Sequence, residues 1–392
     1  MPGPLAALRV LDFTTLLPGP FATLTLADLG ADVVRVEAPH RPDLMRFAPP
    51  FDGGGSVGHA LVNRNKRSLA LDLKHPEAAA VVKRLVRRYD VVVEAFRPGV
   101  MDRLGVGYDA LKAANPRLIY GSLTGYGQTG PFRDRAGHDV NYLALSGLMS
   151  HTGADATGPA HSAQPLGDTA GALAFVAALL AAVVHRERTG EGQHVDVAIL
   201  DSCLYFGAYA AAASLAGSET LGHETSLLGG GSAYGYYRTA DDRYLAVGAL
   251  EPKFWAGFCA AVGRPDLEAQ GHVLDPAAQA GLRAEVQREI ARKPLSEWQA
   301  VFAEHDVCVE PVLTVGEAAE HPQVRARQMT AAVPRPDGEP QRQAASPFRF
   351  SGTAPAYRHT GPALGAHTKG VLREAGFSAE EVAALETGGA FG

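Results

Sequence analysis

The amino-terminal part of the chain switches repeatedly between two hydrophobic periods, and that alternation limits its fold more than any other feature. Leu8–Phe13, Asp32–Glu37, Ser68–Leu73, Asp90–Glu94 and Arg117–Ser122 are short apolar runs with the length of strands. Between them, Pro18–Ala27 (closed by Gly30) and the stretch from Pro76 to about Tyr89 have helical character. Each carries proline in its first turn, where a missing N–H costs nothing. Apolar strands alternating with helices imply a parallel sheet flanked by helices. Ligands of such sheets bind outside the carboxyl ends of the strands.

A long helix over Thr169–Arg188, closed by Gly190, is apolar nearly all round, which predicts burial within a domain or a dimer. Its run from Ala170 to Val184 is shorter than the roughly 20 residues of a bilayer span, so no membrane is expected. His194–Leu200 reads as another strand, and Asp201–Ser202 cap an alanine-rich helix. At Gly229–Gly231 the pattern changes to two strands and three helices, a smaller α+β domain. The expected organisation is a large domain over 1–200, a linker helix over 201–228 and the small domain over 229–320. A return linker over 321–355 and a carboxyl-terminal piece of the large domain over 356–392 follow. Ser378–Glu381 has the shape of a capping box.

Charge and cysteine usage narrow the function. Thirty-six basic against 42 acidic residues give a net charge of −6, which argues against a nucleic-acid partner. Cys203, Cys259 and Cys308 form neither a disulfide framework nor a metal pair. A reducing, cytoplasmic compartment and no metal are expected. The start, Met1-Pro2-Gly3-Pro4, lacks the features of a signal peptide.

Gly125–Gly130 matches GxGxxG after a strand, but no helical pattern opens at its third glycine, so a glycine turn is the better reading than a dinucleotide site. Gly137-His138-Asp139 lies at a loop-to-helix junction, where a histidine could exchange protons near neutral pH or be merely structural. Asp168, after Gly167, could be a plain helix cap or a carboxylate with unpaired N–H groups beside it for an oxyanion. Glu251 ends a strand before Pro252, as a capping acid or a site residue. Asn63–Ser68 is a basic cluster, either a solvated loop or, with Arg97 and Arg103, a basic patch.

Taken together these segments resemble the class III CoA-transferase (CaiB/BaiF-type) superfamily, which includes the α-methylacyl-CoA racemases. The resemblance is carried by Leu11-Asp12-Phe13 with Pro18–Pro20, Ala27–Val33, Asn63–Lys74, Arg97–Val100 and Gly125–Pro131. It continues in Gly167-Asp168, Arg188–Gln193 and Leu364–Thr368. Ala136–Tyr142 (AGHDVNY), Val247–Phe254 and Cys308–Thr314 are similar to racemase segments, whereas transferases usually carry Tyr or Phe at the His138 position.

The resemblance implies an α/β fold, with a Rossmann-like large domain of mostly parallel sheet, a smaller α+β domain and an interlocked homodimer. It implies His138 and Asp168 as two bases that epimerise 2-methylacyl-CoA thioesters, with Glu251 orienting His138 and N–H groups near Asp139 holding the enolate oxygen. Coenzyme A enters as part of the substrate, with no tightly bound cofactor. It would lie along Ala70, Leu71, Asp72, Leu73, Ala95, Phe96 and Arg97, with Arg103 near the phosphates and Gly137, Asn141 and Tyr142 in the binding set. The alternative is CoA transfer between carboxylic acids through Asp168. Three departures from the racemase pattern bear on this choice. Thr169 stands where racemases carry Phe, Leu228–Ala233 is a glycine-rich loop similar to a transferase lid, and Ala38 replaces an Arg of many relatives.

Overall fold

The computed structural model describes residues 3–217, 222–273 and 275–392. The chain divides into two compact units, Met1–Leu143 with Gln164–Phe206 and Pro322–Gly392, and Ala144–Ala163 with Gly207–His321.

In chain order, the first unit's strands are β1 (Arg9–Asp12), β2 (Asp32–Glu37), β3 (Arg67–Ala70), β4 (Val91–Glu94), β5 (Ile119–Thr124) and β6 (His194–Ala198). They form one six-stranded sheet in the order β6-β5-β4-β1-β2-β3, every pairing parallel. That is the order of a doubly wound sheet, whose topological switch point lies between β1 and β4. The helices that matter here are α1 (Pro18–Asp28), α2 (Ala78–Leu85), α3 (Asp139–Leu145), α4 (Leu166–Thr189) and α5 (Ile199–Phe206). One face of the sheet buries Leu11, Val34, Leu69 and Val92 against Val81, Val82 and Leu85 of α2. Helices α1 and α4 pack on each other, and α4 also packs on β5 and β6. The glycines at 125–130 form a turn after β5, with no helix opening there.

The second unit holds α6 (Ala208–Leu215), strands β7 (Gly235–Arg238), β8 (Tyr244–Val247) and β9 (Val309–Pro311), and helices α7 (Pro252–Ala261), α8 (Pro276–Ile290) and α9 (Leu295–Ala303). Its sheet is antiparallel, in the order β7-β8-β9. Trp255, Phe258, Leu282, Ile290 and Trp298 form its core. This is the α+β pattern expected after Gly231. Residues 144–163, placed by sequence in the large domain, group with this unit, and residues 201–206 group with the first.

The stretch expected as a return linker contains an antiparallel hairpin, β10 (Thr330–Pro334) and β11 (Pro340–Ala344), in the first unit. The chain then closes the β3 edge of the sheet. Ser68 N–H donates to His367 Nδ1 and Ala70 N–H to Thr368 Oγ1, at 3.1 and 2.9 Å. A buried edge needs such partners for its free N–H groups. Helices α10 (Thr368–Glu374) and α11 (Ala379–Thr387) end the chain, and α11 starts with the expected Ser378–Glu381 capping box.

The basic cluster at 63–68 is neither a solvated loop nor a surface patch. Arg64 binds the Asp28 carboxylate of α1 at 2.6–2.9 Å. Lys66 is fully buried and contacts Asp12 Oδ2 at 3.3 Å, Thr23 Oγ1 at 2.7 Å and Asn63 Oδ1 at 3.1 Å. Cationic spacing alone could not distinguish a surface stripe from charges whose partners lie tens of residues away.

Candidate active site

The site is built from two helix starts. The loop before α3 is locked by aromatic packing: the Tyr142 hydroxyl donates to Gly137 O at 2.6 Å, and its ring meets Tyr126 edge-on. A Cβ at Gly137 would come within 2.7 Å of the Tyr126 hydroxyl and 2.8 Å of the Tyr142 ring. Only glycine fits between the two rings. Burial pushes the Tyr142 phenol up to about 12, so it remains a donor. His138 N–H then donates to Asn141 Oδ1 at 2.9 Å, while Asn141 N–H donates back to His138 O at 2.8 Å. This reciprocal cap starts α3 and fixes the backbone of His138. The imidazole itself is exposed, with no hydrogen-bond partner among the described residues.

Asp168 is not the cap of its helix. Helix α4 begins at Leu166, before the Thr169 start read from the sequence, and Pro165 occupies the cap position with no side-chain bond. The cap is supplied from α3: Asp168 N–H donates to Asp139 Oδ1 at 3.0 Å. One N–H group that sequence reasoning left open for an oxyanion is therefore already bound. Gly167 is again close-packed, since a Cβ there would lie 3.0 Å from Cys203 Sγ and 3.1 Å from Asp139 Oδ1. Burial is the main reason the Asp168 carboxyl rises to about 6; the Asp139 carboxylate adds to the rise and His138 opposes it. Cys203 of α5 is buried in the same floor, and burial with the two aspartates lifts its thiol to about 11. Neither the Asp139 bond nor the nearness of Cys203 has a signal in local sequence, because α3, α4 and α5 meet only in the fold.

The expected CoA segments lie at the carboxyl ends of β3 and β4. Ala70 and Leu71 are buried, and Leu73 packs against the core. The N–H groups of Leu71 and Asp72 are bound to Glu37 O and Ala390 O, so neither is a free donor. Ala95, Phe96 and Arg97 follow β4 beside the switch point, where a crevice is expected. Arg97 and Arg103 are exposed. Arg97 lines a cavity of about 190 Å³ together with Glu94, Tyr108, Ser122 and His194. Burial raises the Glu94 carboxyl to about 7, against hydrogen bonds from Ser122 and Phe96 N–H. Glu251, in the second unit, is the exposed cap residue of α7, and its side chain caps nothing.

The model of CoA-transferase family III matches residues 5–368 of this chain. The chain belongs to this family. It is 36% identical over 387 residues to the α-methylacyl-CoA racemase of Homo sapiens, covering 98% of this chain and 96% of that protein. It is 34% identical over 335 residues to the acetyl-CoA:oxalate CoA-transferase of Acetobacter aceti, covering 83% and 85%. Among solved structures, a CaiB/BaiF family protein from Brucella suis superposes with a TM-score of 0.83 at 30% identity, over 96% of this chain and 100% of that one. Membership makes the protein an enzyme acting on CoA thioesters, as a racemase or as a CoA-transferase.

Proposed function

We propose that the protein epimerises 2-methylacyl-CoA thioesters by proton transfer between two bases. The observation that carries this reading is the pairing of unlike proton carriers, His138 and Asp168, on two helix starts joined through Asp139. Inversion needs one group on each face of the α-carbon, because a single base cannot deliver a proton to the face opposite the one it left. In one direction Asp168 takes the α-proton, the C–H electron pair moves into the thioester carbonyl as an enolate, and protonated His138 donates to the other face. In the other direction neutral His138 is the base and protonated Asp168 the acid. A carboxyl near 6 serves both roles around neutral pH, since the useful pKa of an acid–base catalyst lies close to the working pH.

The enolate oxygen is assigned to the N–H groups at the start of α3 near Asp139, with Gly137, Asn141 and Tyr142 shaping that wall. Coenzyme A runs along Ala70–Leu73 and Ala95–Arg97 toward Arg103. A cytoplasmic, interlocked homodimer without a tightly bound cofactor or a metal completes the reading. CoA transfer through Asp168 is the second reading, favoured by transferases of similar identity to this chain, such as the 34% of the Acetobacter aceti enzyme.

The test is incubation with one epimer of a 2-methylacyl-CoA and, separately, with that thioester plus an isotopically labelled carboxylic acid. Approach to an equal mixture of epimers without label entering the thioester is the expected result. Label entering the thioester with the starting configuration retained would establish the transferase instead.

A further inference from the structure

Asp139 has a side chain that the proton-transfer scheme leaves without a task. It opens α3 and follows His138 directly, so it adjoins that base in the chain. Its Oδ1 reaches across to accept the N–H of Asp168, the other base, at 3.0 Å. The same oxygen lies about 3 Å from the space a Gly167 side chain would occupy, opposite the buried Cys203 sulfur. A Cβ at 167 would crowd both atoms, so one of them would have to give by a few tenths of an ångström.

We propose that Asp139 is the positioning residue of this centre: its carboxylate ties the helix start that carries His138 to the helix start that carries Asp168, and its charge opposes charge on Asp168. The proposal rests on the two-base reading. One hydrogen bond sets the spacing of both bases, and the like charge keeps Asp168 able to hold a proton while His138 is neutral. The raised Asp168 carboxyl agrees with this, with burial the larger cause and Asp139 the next.

The other groups that face Asp168 do not substitute for it. His138 acts in the opposite sense, and the Tyr142 phenol and Cys203 thiol are both held neutral by burial. Helix α1 also packs on α4, but its one titratable side chain, Asp28, is bound to Arg64.

Two variants separate the roles. Asp139→Asn keeps an oxygen to accept the Asp168 N–H and removes the charge; Asp139→Ala removes both. Two readouts apply to the full chain. One is the pH profile of kcat/KM for inversion in the direction in which Asp168 accepts the proton. The other, independent of activity, is an infrared titration of the protonated carboxyl band assigned by its loss in Asp168→Asn.

In Asp139→Asn the Asp168 midpoint and the rising limb of the profile should both move to lower pH by about half a unit or more. Asp139→Ala should lose about tenfold or more in kcat relative to Asp139→Asn, the worth of one hydrogen bond in positioning. An unmoved infrared midpoint in Asp139→Asn would overturn the proposal even with inversion intact. So would an Asp139→Ala variant as active as Asp139→Asn. If Asp139→Ala does not fold, the midpoint in Asp139→Asn decides alone. A shifted midpoint in a protein that inverts nothing would sink the two-base reading while leaving the Asp139–Asp168 coupling in place.

Discussion

Glu94 is a buried carboxyl whose ordinary value is raised to about 7, burial being the main cause. The folded chain therefore binds its proton more tightly than the unfolded chain does. Its stability contribution is fullest below about 4.5 and is lost as pH rises through about 7. Glu94→Gln removes that dependence while keeping an oxygen for Phe96 N–H. The variant should show a flatter rise and fall of the urea midpoint between pH 5 and 8, and at pH 8 it should gain on the parent by about 2–3 kcal/mol. Parallel pH curves for the two proteins would contradict this. His138 with Asp139, and Asp168 separately, were visible as polar residues at helix junctions. Their mutual arrangement was not, because the Asp139–Asp168 bond spans 29 positions and no local pattern encodes it.

At the scale of elements, apolar runs and proline positions located β1 to β6 and α1 within a few residues. The start of α4 was misplaced by three residues, since Leu166-Gly167-Asp168 reads as a loop unless a neighbour caps it, and that neighbour is Asp139 on another helix. Gly167→Ala tests this junction. Its Cβ would be 3.0 Å from Cys203 Sγ and 3.1 Å from Asp139 Oδ1, so activity should fall well before stability does, at a stability cost of about 1–3 kcal/mol. Adding Cys203→Ala relieves one of the two contacts and should recover part of the activity; thermal melts and turnover of the single and double variants measure both. The network between α1 and the start of β3 is a second junction. Lys66→Met strands the buried Asp12 carboxylate and is expected to cost about 3–5 kcal/mol in urea denaturation. Sequence spacing presented Lys66 as one of a surface cluster, and only its distant partners Asp12 and Thr23 explain its burial.

At the scale of the whole molecule, a parallel sheet flanked by helices and a later α+β stretch were legible from periodicity, whereas the Rossmann-like architecture came from the family resemblance, because apolar runs do not record which strands pair. The return of the chain to the first unit was legible as well, but the pairing of β10 with β11 was not, because a proline-rich polar stretch reads as a linker whether or not it pairs. Helix α4 buries Phe175, Val176 and Leu179 but leaves Leu173 and Val184 open, and Tyr205, Phe206, Tyr209 and Leu215 on α5 and α6 are exposed as well. Exposed apolar residues in this number call for a covering surface. With a second copy as the proposed cover, sedimentation at micromolar concentration should give a dimer, and Tyr205→Glu with Tyr209→Glu should shift it to the monomer. A monomeric parent would contradict the proposed assembly.

The most direct measurement of the two-base mechanism is hydrogen exchange at the α-carbon. One epimer of a 2-methylacyl-CoA, incubated with the enzyme in deuterated water, should gain a single α-deuterium as its configuration inverts. His138→Ala and Asp168→Ala should each abolish inversion without unfolding the chain. Thioester that keeps its α-hydrogen and its configuration at enzyme concentrations sufficient for turnover, while exchanging its CoA with added carboxylate, would contradict the mechanism.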